Sequence, residues 1–126
     1  MSNKRILVID DEESIQKVAG LGLRMEANWQ IIYASSGQEG IEQAARYRPD
    51  AILLDIMMPE LDGFQTFEQL QNQTRTQLIP VILLTAKTGT AEKRMFQNLG
   101  VAGVITKPFN PLTLATQVSK LLDWPL

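Results

Sequence analysis

Ile6-Leu7-Val8-Ile9-Asp10-Asp11 sets four apolar residues in a row against two adjacent carboxylates. An apolar run that does not alternate with polar residues suits a strand buried on both faces, because successive side chains point to opposite sides of the sheet. The same construction recurs along the chain. Ala51-Ile52-Leu53-Leu54 stops at Asp55, Val81-Ile82-Leu83-Leu84 stops at Thr85, and a weaker run from Val101 to Ile105, with Gly103 inside it, stops at Thr106-Lys107. Ile31-Ile32-Tyr33-Ala34 is more mixed and suits an edge strand. The intervening segments have helical length and period, as in Ile15, Val18, Ala19, Leu21 and Leu23, or Leu112, Leu114, Ala115, Val118, Leu121 and Leu122. Ser36-x-x-Glu39 reads as a capping box, and Asn110 before Pro111 puts a cap ahead of a proline at the first helical position. Strand and helix thus alternate five times without a linker, charge block or repeat. This predicts one domain over residues 1–126 of the α/β class, a doubly wound five-stranded parallel sheet of (βα)5 type.

The composition narrows the chemistry. A chain of 126 residues is long enough to bury a core without staples. It has neither cysteine nor histidine, which excludes disulfides, thiolate nucleophiles, Ser-His-Asp triads and ordinary zinc sites, so any metal must be held by oxygen. Twelve basic against fourteen acidic residues, with no basic tail, give no electrostatic reason to expect nucleic-acid binding. No apolar run approaches the roughly 20 residues that span a bilayer, and no leader pattern precedes the first motif, so the expectation is a soluble cytoplasmic protein.

In an open parallel sheet the carboxyl ends of the strands face one crevice. Asp10, Asp11, Asp55, Thr85 and Lys107, far apart in sequence, are therefore expected to converge there. Three carboxylates repel one another, and one lysine does not neutralise them. A hard divalent cation with oxygen ligands would, Mg²⁺ being the expected ion and Mn²⁺ a plausible substitute. Such a site suits phosphoryl transfer, which depends on positioning and charge neutralisation, and a carboxylate can be the nucleophile. Asp55 is the candidate, standing alone at the end of a central strand, whereas the adjacent Asp10 and Asp11 suit a shared metal. Thr85 would hydrogen-bond one phosphoryl oxygen and Lys107 would pair with another.

These residues resemble the receiver domain of two-component response regulators, of the single-domain chemotaxis-regulator type. The resemblance rests on Ile6 to Glu12 (ILVIDDE), Leu53 to Gly63 (LLDIMMPELDG), Val81 to Ala86 (VILLTA) and Ile105 to Phe109 (ITKPF), in order and spacing across essentially the whole chain. It implies a flavodoxin-like receiver fold in which Asp55 accepts a phosphoryl group from a sensor histidine kinase or histidine phosphotransfer protein. By the same resemblance Asp10, Asp11, Asp55 and the backbone carbonyl of Met57 bind Mg²⁺, Thr85 and Lys107 are the switch hydroxyl and the lysine of the pattern, and the Lys107-Pro108 bond is cis. The phosphorylated domain would signal to a downstream protein through a changed surface, as a monomer or weak dimer, without nucleic-acid or membrane contact. It would not be an enzyme with an external substrate, since only its own phosphorylation and dephosphorylation are catalysed.

Some positions depart from the pattern. The family usually has Tyr or Phe three positions before the lysine, where this chain has Val104, which puts the usual threonine-to-aromatic coupling in doubt and shifts the expected change to Thr85 and the Thr88–Lys93 loop. Lys87 either attracts the donor and tunes phosphoryl lifetime or is a solvated loop lysine. Phe96, Val101 and Val104, with the exposed side of the helix from Leu112 to Leu122, are a candidate output surface, with Phe96 equally a core candidate. Asp62-Gly63 reads as a turn with a positive glycine φ, Met57 and Met58 as packing side chains, Gly20-Leu21-Gly22 as close helix packing and Trp29 and Trp124 as partly buried. The competing functions are a phosphorylation-independent interaction module, an aspartate-nucleophile phosphatase of haloacid-dehalogenase type, disfavoured because Met57 stands where a second Asp belongs, and a flavin binder, disfavoured by the acidic strand ends.

Overall fold

The computed structural model describes residues 4–57, 62–86 and 89–125. Met58, Lys87 and Thr88 lie outside the described residues. The elements in chain order are β1 (Arg5–Ile9), α1 (Glu13–Ala27), β2 (Gln30–Ala34), α2 (Gly37–Tyr47), β3 (Ala51–Asp55), α3 (Gly63–Gln71), β4 (Val81–Thr85), α4 (Thr90–Leu99), β5 (Gly103–Thr106), a 3-10 turn (Pro111–Thr113) and α5 (Leu114–Leu122). The strands form one parallel sheet in the order β2-β1-β3-β4-β5, so the doubly wound (βα)5 expectation holds.

The unbroken apolar runs have the cause expected of them. In β1, Leu7 and Ile9 join Ile41 and Ala44 of α2, Phe67 and Leu70 of α3 and Phe96 of α4 in one buried cluster. Ile6 and Val8, pointing the other way, join Ala19 and Leu23 of α1 and Leu114, Ala115 and Val118 of α5. β3 and β4 divide their residues between the two clusters in the same manner. All five residues of β3 and of β4 are buried, whereas β2, the edge strand, is only partly so.

The helices required more of the fold to be read. In α1, Ala19 and Leu23 face the core, but Val18 and Leu21 are exposed, so the periodic apolar positions are not all core positions. Gly22 is required by close approach, since a Cβ there would sit against the carbonyl of Pro111. Ser36 caps α2 by accepting from the Glu39 N–H at 3.1 Å, while the Glu39 carboxylate accepts from Ser35 N–H at 2.8 Å, one residue earlier than a standard capping box. Asn110 caps as expected, but its helix begins as a 3-10 turn that leaves Leu112 exposed. Trp29 is more buried than expected, edge-on to Trp124 at 5.6 Å between ring centroids.

Asp62 is the N-cap of α3 in a full capping box with Gln65, a pairing the sequence reading overlooked. Gly63 does not have the positive φ expected of it; it is there because a Cβ would meet the Ile56 Cα and lie 2.7 Å from the Asp55 carbonyl oxygen. Ordinarily an alanine in a helix gains up to about 1 kcal/mol over glycine. Gly63→Ala is expected instead to lose about 1–3 kcal/mol, as overpacking against backbone does, in urea unfolding. A stabilised variant would mean that α3 can slide off the β3 end at no cost.

Candidate functional site

The register of the sheet brings the polar strand ends together. Ile9 pairs with Leu54, Asp55 with Leu84 and Thr85 with Thr106, so the residues that close each apolar run lie in step along one edge. The chain leaves β1 for β2 on one side and returns to β3 on the other, which makes the β1–β3 boundary the topological switch point where open α/β sheets form their binding crevice. Asp10 and Asp55 stand at that boundary.

One carboxylate oxygen from each of Asp10, Asp11 and Asp55 lies within 4.8 Å of the others. Asp10 and Asp55 are buried and Asp11 is exposed, so the cluster has a closed floor and an open side. The Lys107 ammonium sits 2.8 Å from Asp10 Oδ2 and 3.5 Å from Asp55 Oδ1. Asp10 Oδ1 accepts from the Glu12 N–H at 2.9 Å, and Asp55 Oδ1 accepts from the Met57 N–H at 3.1 Å. Lys107 donates its backbone N–H to the Thr85 carbonyl at 2.8 Å, which ties the lysine to the end of β4. Thr85 is fully buried. The Lys107-Pro108 bond is cis, as the resemblance implied.

Among the described residues the charges are unbalanced, with three carboxylates facing one ammonium. Burial raises the Asp55 carboxyl above its ordinary pKa; the Met57 N–H and Lys107 oppose this, while the charge of Asp10 adds to it. Burial on its own would lower the Lys107 pKa, but the hydrogen bond and charge of Asp10, joined by Asp55, outweigh it and leave the ammonium more strongly protonated than usual. The donor set is oxygen only and carries surplus negative charge on a scale at which carboxylates share a hard cation, so these residues fit Mg²⁺.

Of the residues named from sequence, Asp10, Asp11, Asp55 and Lys107 thus meet in one place, with Thr85 buried at the adjoining strand end. The Met57 backbone adjoins Asp55 through its N–H, but its side chain is exposed and does not pack as expected. Phe96 is a core residue, 1% exposed and stacked on Phe64 with ring centroids 6.0 Å apart, so it presents no output surface. Val104 packs partly against the same cluster and lines a hollow of about 300 Å³ with Gln97, Val101, Ala102 and Gly103. The sequence reading missed Gln16, which is buried and donates to the Asp10 carbonyl at 2.7 Å. Its only signal was a polar residue next to an apolar stripe, which any helix surface supplies.

No helix among the described residues is long and apolar enough to cross a membrane. The response regulator receiver domain family matches residues 6–119. The chain is 38% identical over 120 residues to the alkaline phosphatase synthesis transcriptional regulatory protein PhoP of Bacillus subtilis, covering 95% of this chain and 49% of that protein. It is 35% identical over 122 residues to the response regulator PleD of Caulobacter vibrioides, covering 97% of this chain and 27% of that protein. The chain therefore spans half or less of these curated relatives. The chemotaxis protein CheY4 of Vibrio cholerae superposes with a TM-score of 0.86 at 28% identity, covering 95% of this chain and 99% of that one. With that match across both length and fold, the chain belongs to the response regulator receiver domain family, the signalling modules of phosphorelays.

Proposed function

We propose that this chain is a cytoplasmic phosphorelay receiver that takes a phosphoryl group onto Asp55 from a phosphohistidine of a sensor kinase or phosphotransfer protein. The observation that carries the reading is the buried Asp55 carboxylate within reach of two further aspartates and Lys107. Asp55 attacks phosphorus, forming a P–O bond as the P–N bond to the donor imidazole breaks; the imidazole leaves with the electron pair of that bond and takes up a proton. Burial makes the carboxylate more basic, hence a better nucleophile, than a solvated aspartate. These 126 residues contain no histidine, so the phosphoryl donor lies outside them.

Asp10, Asp11, Asp55 and the Met57 carbonyl would hold Mg²⁺, with Mn²⁺ as a substitute. When bound, the ion neutralises charge on the transferring phosphoryl group. Lys107, held by Asp10, would pair with a second phosphoryl oxygen, and Thr85 would donate to a third. Signalling then passes to a downstream protein through a surface altered near Thr85, by a monomer or weak dimer, with no direct nucleic-acid contact by this domain. Residues 90–93, expected in a loop, instead form the first turn of α4, and unchanged amide shifts there on phosphorylation would remove that turn from the signal path.

The test is the intact mass after incubation with acetyl phosphate and Mg²⁺. A single phosphoryl adduct is expected, and it disappears when EDTA is present. An adduct that persists in EDTA would overturn the metal assignment. Failure with both acetyl phosphate and phosphorylated donor proteins would leave a phosphorylation-independent interaction module as the better reading.

A further inference from the structure

We propose that Gln16 is the positioning residue for the carboxylate pair, holding the peptide that joins Asp10 to Asp11 in the orientation that binds a divalent cation. This rests on the metal reading of the acidic cluster and extends it to a side chain outside the ligand set.

Gln16 is the fourth residue of α1 and is only 8% exposed. Its side-chain amide nitrogen donates to the Asp10 carbonyl at 2.7 Å, to the Ser35 hydroxyl at 3.1 Å and to the Ala34 carbonyl at 3.3 Å. Two of the three partners are backbone carbonyls, which only accept, so the NH₂ end of the amide must face them. The same Ala34 carbonyl accepts from the Asp10 N–H at 3.0 Å. Asp10 is thereby held on every polar atom: its N–H by Ala34, its carbonyl by Gln16, Oδ1 by Glu12 and Oδ2 by Lys107.

Asp11 has no such support of its own among the described residues and is exposed. The carbonyl of Asp10 and the N–H of Asp11 belong to one planar peptide, so fixing the carbonyl fixes the plane from which the Asp11 Cα departs. Gln16 acts on Asp11 through that plane. The buried amide is also costly to replace, because removing it strands the Asp10 carbonyl, whereas the Ala34 carbonyl keeps the Asp10 N–H. Groups that orient metal ligands from behind are worth about 10–100-fold in metal affinity.

The probe is Mn²⁺ alone, with free ion counted by its paramagnetic resonance signal. Gln16→Met keeps the chain length and loses the donor, and it is expected to weaken Mn²⁺ binding about tenfold at temperatures where the variant is fully folded. Gln16→Asn keeps the amide but draws it back by one methylene, and a similar loss is expected. Wild-type affinity in both variants would overturn the proposal, even if both unfold at lower urea, since a merely structural glutamine changes stability and leaves the folded site intact. A measurement on the unaltered protein covers the case where the variants do not fold. Because coupling is reciprocal, saturating Mg²⁺ should slow exchange of the Gln16 side-chain amide protons, and an unchanged rate would overturn the proposal. Failure of the wild-type chain to bind Mn²⁺ is a different result, which refutes the metal reading itself.

Discussion

Asp55→Asn is expected to abolish the phosphoryl adduct, whereas Asp11→Asn is expected only to slow its formation. The two aspartates are both in the cluster, and the difference lies in their surroundings. Asp55 is 3% exposed at the end of a central strand, with one oxygen fixed by the Met57 N–H and Lys107, which leaves its second oxygen as the candidate nucleophile. Asp11 is exposed, so its charge is solvated and its loss can be offset by water at the cation. Asparagine is nearly isosteric with aspartate but is not a nucleophile here, because its amide oxygen carries no charge and its nitrogen lone pair is delocalised. The expected readings in intact-mass spectra are no adduct for Asp55→Asn and an adduct slowed by about 10-fold or more for Asp11→Asn, the scale of losing one electrostatic partner. An adduct of wild-type yield on Asp55→Asn would move the acceptor to another residue, and peptide mapping would then locate it.

The difference between what could and could not be read in the sequence follows from range. The β3 strand was legible because burial on both faces leaves four apolar residues in a row, and Asp55 was legible because a carboxylate cannot extend such a run without a reason. Convergence of Asp10, Asp55 and Lys107 then followed from parallel topology alone, in which strand ends share an edge. Gln16 was not legible, since its contacts depend on three acceptors, one just past β1, one at the end of β2 and one in the turn after it, that no local pattern announces. Gly63 was noticed for the wrong reason: a glycine after aspartate suggests a turn, while the space it vacates is needed by Ile56 and the Asp55 carbonyl seven and eight residues earlier. Phe96 shows the same limit, because a phenylalanine on an amphipathic helix reads alike whether it meets solvent or, as here, the ring of Phe64.

Lys107→Met is expected to destabilise the metal-free domain by about 3 kcal/mol in urea unfolding at neutral pH. Methionine keeps most of the apolar stem, so the loss measures the ammonium and not the packing. That ammonium bridges Asp10, which is fully buried, and Asp55, while its own side chain is only 17% exposed. Removing one member of a buried charge cluster leaves the others uncompensated, which typically costs about 3–5 kcal/mol. The cost has a ceiling: protonating one aspartate at pH 7 relieves the repulsion for about 4 kcal/mol, given an ordinary pKa near 3.9. The sign of the pH dependence follows from that ceiling. In the variant the Asp55 carboxyl, already raised by burial, loses the opposing Lys107 charge and is harder to ionise folded than unfolded, so the penalty is full above its folded pKa and vanishes as pH falls below about 3.9. Mg²⁺ should act in the same direction at neutral pH, because a cation that binds only the folded site supplies the missing positive charge and stabilises by mass action. A variant within about 0.5 kcal/mol of wild type in EDTA would place Lys107 among exposed ion pairs, which contribute little.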